Sequence, residues 1–299
     1  MKRLTLAAVA PVLITLALPL SAGVAAAQAP KPAYPPHTIG HSQLRVLPPT
    51  PQGRQYQLHV GLPESYAKDT GRRYPVVYVT DAYWDFQKMD AVRGCLIYDR
   101  VAPEFIIVGL GYAGENLNFG NMRLWELSPV PYGTGGSGTS GRAADFLTTI
   151  ETEIIPFVER EYRADPSFRV MAGASLGGLF TLYSMYTKPD LFQGYVAATP
   201  AVAAGNDWLF GYEEAFAKAG RTVKARLFVA GGGNEAPAFL GGILRFNQRI
   251  ASRKMPGLTY EFRIIDGERH AGMQLESYVR GLRFVLAPLA PETGPTPAR

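Results

Sequence analysis

The residues best placed to do chemistry are a serine and the glycines around it. Gly173-Ala174-Ser175-Leu176-Gly177-Gly178 spells G-x-S-x-G. The run Phe168-Arg169-Val170-Met171-Ala172 before it reads as a strand, and Leu179 to Tyr186 after it reads as a helix. Strand, sharp turn and helix together form the context in which this pattern presents a nucleophilic hydroxyl. Neighbours without side chains let strand and helix approach closely, and a helix N-terminus favours negative charge. The alternative, a chance match on a surface turn, lacks these flanking elements.

A serine hydroxyl is a poor nucleophile near neutral pH. It needs a general base, and the base needs an orienting acid. Of four histidines, His37 and His41 lie in a Pro-rich lead-in and His59 on an early strand. His270 follows the strand Thr259 to Ile265, in the turn Asp266-Gly267-Glu268-Arg269-His270, where the active edge of an α/β sheet is expected. It is the candidate base, against the plainer reading of a surface-loop histidine. Glu235 stands just past the strand Arg226 to Ala230, between Ser175 and His270 in chain order, and is the favoured acid. Asp207, Asp266, Glu268 and a bare Ser–His dyad remain open. An oxyanion would meet the amide of Leu176. The second donor is expected after the strand Pro75 to Val79, at Ala82, with Tyr83 as the alternative.

The elements needed to hold these residues can be read along the chain. Tyr56, Leu58 and Val60 alternate with polar residues, as in a half-buried strand. Pro75 to Thr80 and Glu104 to Gly109 are continuous apolar runs, as in strands buried on both faces. Leu147, Ile150, Ile154 and Val158 keep a helical rhythm, with a kink expected at Pro156. A strand at Gly194 to Ala198, strands at 226–230 and 259–265, and helices at 237–253 and 271–286 complete the series. This alternation predicts an α/β fold: a doubly wound, mostly parallel sheet with helices on both faces. Residues 112–142 break the rhythm and are expected to form a long flap or rim loop, its Gly-rich part being flap or plain surface loop.

The chain has 299 residues, of which 47% are hydrophobic and 18% charged, enough for one sizeable core. Lys2 and Arg3, the apolar stretch Leu4 to Leu20 and the small residues Ala25, Ala26 and Ala27 form an expected export signal over 1–27. An uncleaved anchor is the competing reading, and no later segment is long and apolar enough to span a bilayer. A Pro-rich segment, 28–52, then leads into a hydrolase domain at 53–287, with a Pro-rich tail at 288–299. The expected location is the periplasm or the exterior. Cys95 is the single cysteine, so no internal disulfide can form, and it is expected to be a buried structural thiol. The net charge of +5 is spread without a basic patch, which gives nucleic-acid binding no support. The expected partner is a small ester, with the oligomeric state left open. No metal-ligand spacing or phosphate-cradling motif is present, and no cofactor is expected. Gly109 to Gly114 spells G-x-G-x-x-G, but no helix opens there, as dinucleotide binding requires.

These pieces together resemble the α/β-hydrolase family that includes bacterial siderophore esterases and related esterases. The likeness spans about residues 54–285. It is carried by Tyr74-Pro75-Val76-Val77-Tyr78, Asp81-Ala82, Ile106 to Tyr112, Arg123 with Leu127-Ser128-Pro129, Phe157-Val158-Glu159, Tyr162-Arg163, the Ser175 motif and Pro189-Asp190-Leu191-Phe192. The resemblance implies Ser175 as nucleophile, His270 as base and oxyanion donors at Leu176 and Ala82. Where Ala82 and Ala174 stand, the family commonly has Gly and His. Some members use a Ser–His dyad, which leaves Glu235 open. Tyr83, Trp84, Arg123 and Trp125 are candidate substrate contacts. The aromatics could equally be core, and Arg123 could instead pair with Glu126 or another carboxylate. An acyltransferase on the same scaffold and a non-catalytic binding protein are the rival readings.

Overall fold

A computed structural model describes residues 38–131 and 141–291. The expected export signal, the start of the Pro-rich lead-in, Tyr132, most of the Gly-rich stretch and the end of the tail lie outside the described residues.

Eight strands form one sheet: β1 (Ser42–Val46), β2 (Tyr56–Gly61), β3 (Tyr74–Val79), β4 (Ile106–Tyr112), β5 (Ala164–Ala174), β6 (Gly194–Ala198), β7 (Ala225–Gly232) and β8 (Leu258–Ile265). Their order is β1-β2-β4-β3-β5-β6-β7-β8. β1 and β2 run antiparallel at one edge, and β4 through β8 are parallel. This is the expected α/β-hydrolase arrangement.

Period-2 alternation splits each central strand between two cores. Val77, Val79, Ile107, Val196 and Phe228 face one side, where α1 (Ala82–Tyr98) and α8 (Met273–Leu286) cover them with Phe86, Met89, Leu96, Tyr278 and Leu282. Val76, Tyr78, Val108, Tyr195 and Val229 face the other. There α3 (Ala143–Thr149), α4 (Ile155–Glu161), α5 (Leu176–Thr187), α6 (Ala204–Lys218) and α7 (Pro237–Arg253) pack. Between α3 and α4 the chain makes a π-helical turn at Ile150–Ile154 rather than a plain kink. Pro156 in the first turn of α4 has no N–H to donate backwards, which favours such a displaced register.

Several expectations change. The lead-in contains a strand, β1, paired with β2 from Ser42↔Gly61 to Val46↔Gln57. The loop after β4 contains α2 (Phe119–Leu127), capped by the Asn118 side chain, which accepts from the Asn121 amide. Cys95 is exposed rather than buried, because α1 turns Val92 and Leu96 inward and Cys95 outward. Among the described residues no helix is long and apolar enough to cross a membrane.

Candidate active site

Parallel strands place their carboxyl ends along one edge, and the expected residues gather there. Ser175 follows β5 directly and opens α5, with φ 59° and ψ −116°. For a residue with a Cβ, that geometry costs on the order of 1–3 kcal/mol, so the surroundings must impose it. They do so through the backbone: the Ser175 amide donates to Ala198 O at 3.0 Å, and Ser175 O accepts from the Ala201 amide at 3.0 Å. The flanking glycines are needed for space. A Cβ on Gly173 would sit 2.5 Å from the Gly177 carbonyl, and one on Gly177 would sit 2.1 Å from Thr80 Oγ1.

Glu235 and His270 meet across the ends of β7 and β8. His270 Nδ1 lies 3.0 Å from Glu235 Oε2. The two loops are stitched together by main-chain bonds, Gly233 N to Ile265 O at 2.8 Å and Asn234 N to Glu268 O at 2.8 Å. Glu235 is buried, and its other oxygen accepts from the Gly232 amide at 3.1 Å and from the Thr199 hydroxyl. Burial alone would raise the carboxyl's proton affinity. The bonds from His270, Thr199 and Gly232 outweigh it and hold Glu235 below the usual value for a glutamate. Among the described residues Glu235 is the carboxylate bonded to His270. Asp207 instead pairs with Arg245 at 2.9 Å, and Asp266 is exposed. The imidazole is 42% exposed, with Phe239 edge-on at 4.9 Å. Its Nε2 and Ser175 Oγ carry no hydrogen bond among the described residues.

Leu176 and Ala82 each begin a helix, so their amides lack an intrahelical acceptor. Ala82 is preceded by Asp81 in the left-handed region, φ 55° and ψ 45°. Arg123 fixes that residue from α2, with Nε and NH2 each 2.9 Å from a different Asp81 oxygen. The carboxylate that Arg123 pairs with is thus Asp81. Trp125 has the guanidinium of Arg54 4.0 Å and that of Arg142 5.5 Å from its ring centre. Tyr83 and Trp84 are exposed in the first turn of α1, with Phe119 stacked on Tyr83 at 4.7 Å. Together with Ala82, Leu110 and Tyr112 they line a small apolar hollow. A cavity of about 950 Å³ between the β2–β3 connection and α1 shares no residue with this edge.

The arrangement can bind an ester carbonyl, move a serine proton to an imidazole and hold the resulting charge. Comparison with known proteins supports ester hydrolysis. Residues 50–227 match the esterase family described as "Putative esterase".

The chain belongs to this esterase family.

It is an ester hydrolase. The ferri-bacillibactin esterase BesA of Bacillus subtilis is 28% identical over 273 residues, covering 85% of this chain and 92% of that protein. The crystal structure of the BES protein from Bacillus cereus superposes with a TM-score of 0.75 at 27% identity, covering 85% and 97% of the two chains. An IroE-like serine hydrolase from Shewanella oneidensis shares the fold, with a TM-score of 0.73 at 24% identity over 84% and 82%.

Within this esterase, Ala82 in place of the commoner glycine is accommodated. Its Cβ fills space left by Gly109, where an added Cβ would stand 2.9 Å away. Sequence reasoning passed over Thr199, which touches both Glu235 and His270. Its position directly after β6, next to a proline, was the available signal.

Proposed function

We propose that this esterase is an exported serine hydrolase in which Ser175 attacks the ester carbonyl and His270 accepts its proton. Glu235 orients the imidazole and balances its charge. The amides of Leu176 and Ala82 hold the oxyanion, and water then releases the acid from the acyl-enzyme. The observation that carries this reading is the left-handed backbone at Ser175, on the same sheet edge as the hydrogen-bonded Glu235–His270 pair. Strain of that kind is retained where it presents a group for reaction.

The substrate is an ester bearing an aromatic group. Tyr83, Trp84, Phe119 and Tyr112 offer ring faces beside the oxyanion loop, and siderophore esterases stand among the relatives by name. Export rests on Lys2 and Arg3 followed by an apolar stretch and Ala25 to Ala27. N-terminal sequencing of the protein recovered outside the cytoplasm should then begin near Gln28.

A fluorophosphonate probe tests the mechanism. The folded protein is expected to gain one adduct, mapped to the Ser175 peptide, and the label should be lost in His270→Ala. Labelling at another residue, or none, would contradict the assignment.

A further inference from the structure

Thr199 sits directly after β6, fully buried, with φ 42°. A left-handed backbone is unusual for a β-branched residue, and it is held here by the Thr199 amide donating to Ala230 O at 2.7 Å. The effect is to turn the side chain towards the active edge. Thr199 Oγ1 donates to Glu235 Oε1 and stands 3.2 Å from His270 Nδ1.

The proton count of this triangle is informative. Glu235, held below its usual value, is ionised near neutral pH and only accepts. The single Thr199 proton goes to Glu235 Oε1, which leaves the hydroxyl lone pairs facing the imidazole. Both groups next to Nδ1, Glu235 Oε2 at 3.0 Å and Thr199 Oγ1 at 3.2 Å, are therefore acceptors. Nδ1 must carry the proton of the neutral imidazole, and Nε2 is left with the lone pair that a general base needs.

We infer that Thr199 is a positioning residue of the hydrolase, which acts through Glu235 and His270 to fix the imidazole tautomer and the orientation of the carboxylate. This rests on the serine mechanism proposed above. Among the described residues the Thr199 hydroxyl bonds to Glu235 and His270 and not to Ser175 Oγ. Its two contacts give Glu235 a second side-chain bond and keep the carboxylate from rotating away as charge develops on the ring.

The test is steady-state hydrolysis of 4-nitrophenyl acetate by the full-length protein and its variants. Thr199→Val keeps the β-branch and removes the hydroxyl, while Thr199→Ser keeps the hydroxyl. Thr199→Val is expected to lower kcat roughly tenfold (about 1.4 kcal/mol) with KM within about twofold, and Thr199→Ser to restore most of it. In the Glu235→Gln background Thr199→Val should cost little more, since the two act as one unit. Thr199→Ala serves the same comparison if the valine variant does not fold. Wild-type kcat in a folded hydroxyl-free variant, or a full additional loss on top of Glu235→Gln, overturns the inference for Thr199 while Ser175→Ala stays inactive. Activity retained in Ser175→Ala overturns the serine mechanism itself, and this inference with it.

Discussion

His270 Nδ1 lies 3.0 Å from Glu235 Oε2, joining residues 35 positions apart in sequence across the ends of neighbouring strands. The contact is held by main-chain bonds between the two loops and by the burial of Glu235, so it belongs to the frame of the fold. Replacing the carboxylate leaves that frame in place and, in the proposed mechanism, removes the charge that balances the protonated ring.

Glu235→Gln should therefore fold normally and lose about 10²- to 10⁴-fold in kcat, as an acid-to-amide change does where the acid orients the base. Turnover within a few-fold of wild type would mean that the serine and histidine work as a dyad. Glu235 also sets a stability trend. Its carboxyl is held down in the folded protein, so the stability it contributes is present above the unfolded value and is lost as pH falls through the folded one. Thermal melts in acid should show Glu235→Gln losing less than wild type.

The Arg123–Asp81 pair lies at the turn that leads into Ala82. Asp81 is nearly buried, and the guanidinium meets it with two parallel bonds. Lysine cannot reproduce that fork. Arg123→Lys is expected to free Asp81 from its left-handed turn, disturb the Ala82 amide and lower kcat/KM by about tenfold, on the scale of a weakened oxyanion donor. Unchanged kinetics in Arg123→Lys would show that the turn holds its shape without α2.

Glu126 gives a prediction at neutral pH. It is fully buried on α2, with Tyr56 Oη donating at 2.9 Å and Arg54 Nε 3.2 Å away. Burial raises its carboxyl to about 7, against the lowering effects of Arg54 and the two tyrosines, Tyr56 and Tyr112. A raised acid binds its proton more tightly when folded, so the protein loses stability as pH rises from the unfolded value of 4.5 towards 7. Glu126→Gln should flatten that slope in thermal melts at about pH 5 and pH 7. An identical slope in the variant would contradict this environment for Glu126.

Much of this architecture is legible in the residues. β-branched runs such as Pro75 to Val79 mark buried strands, and glycines at 173 and 177 mark a turn where strand, helix and Thr80 crowd together. Less legible was α1. Its inward residues Phe86, Met89, Val92 and Leu96 are helically spaced, but Asp85 and Arg93 are buried among them and blur the pattern. Asp85 is satisfied by Lys88 one helical turn on at 2.6 Å and by Tyr278 Oη at 2.5 Å, and the second partner, 193 residues away, is one that no local spacing reveals. Arg123 poses the same difficulty, since its acid lies 42 residues earlier. The edge strand β1 is short and carries exposed Leu44 and Val46, so it lacks the alternation that reveals β2. Thr199 gained meaning only once three strand ends were set side by side.

The most direct measurement is hydrolysis of an aryl ester by purified Ser175→Ala beside the wild-type protein, with folding checked by melting temperature. The account predicts an equally folded variant whose turnover falls by about 10³-fold or more. A folded Ser175→Ala enzyme that turns over at close to the wild-type rate would contradict it.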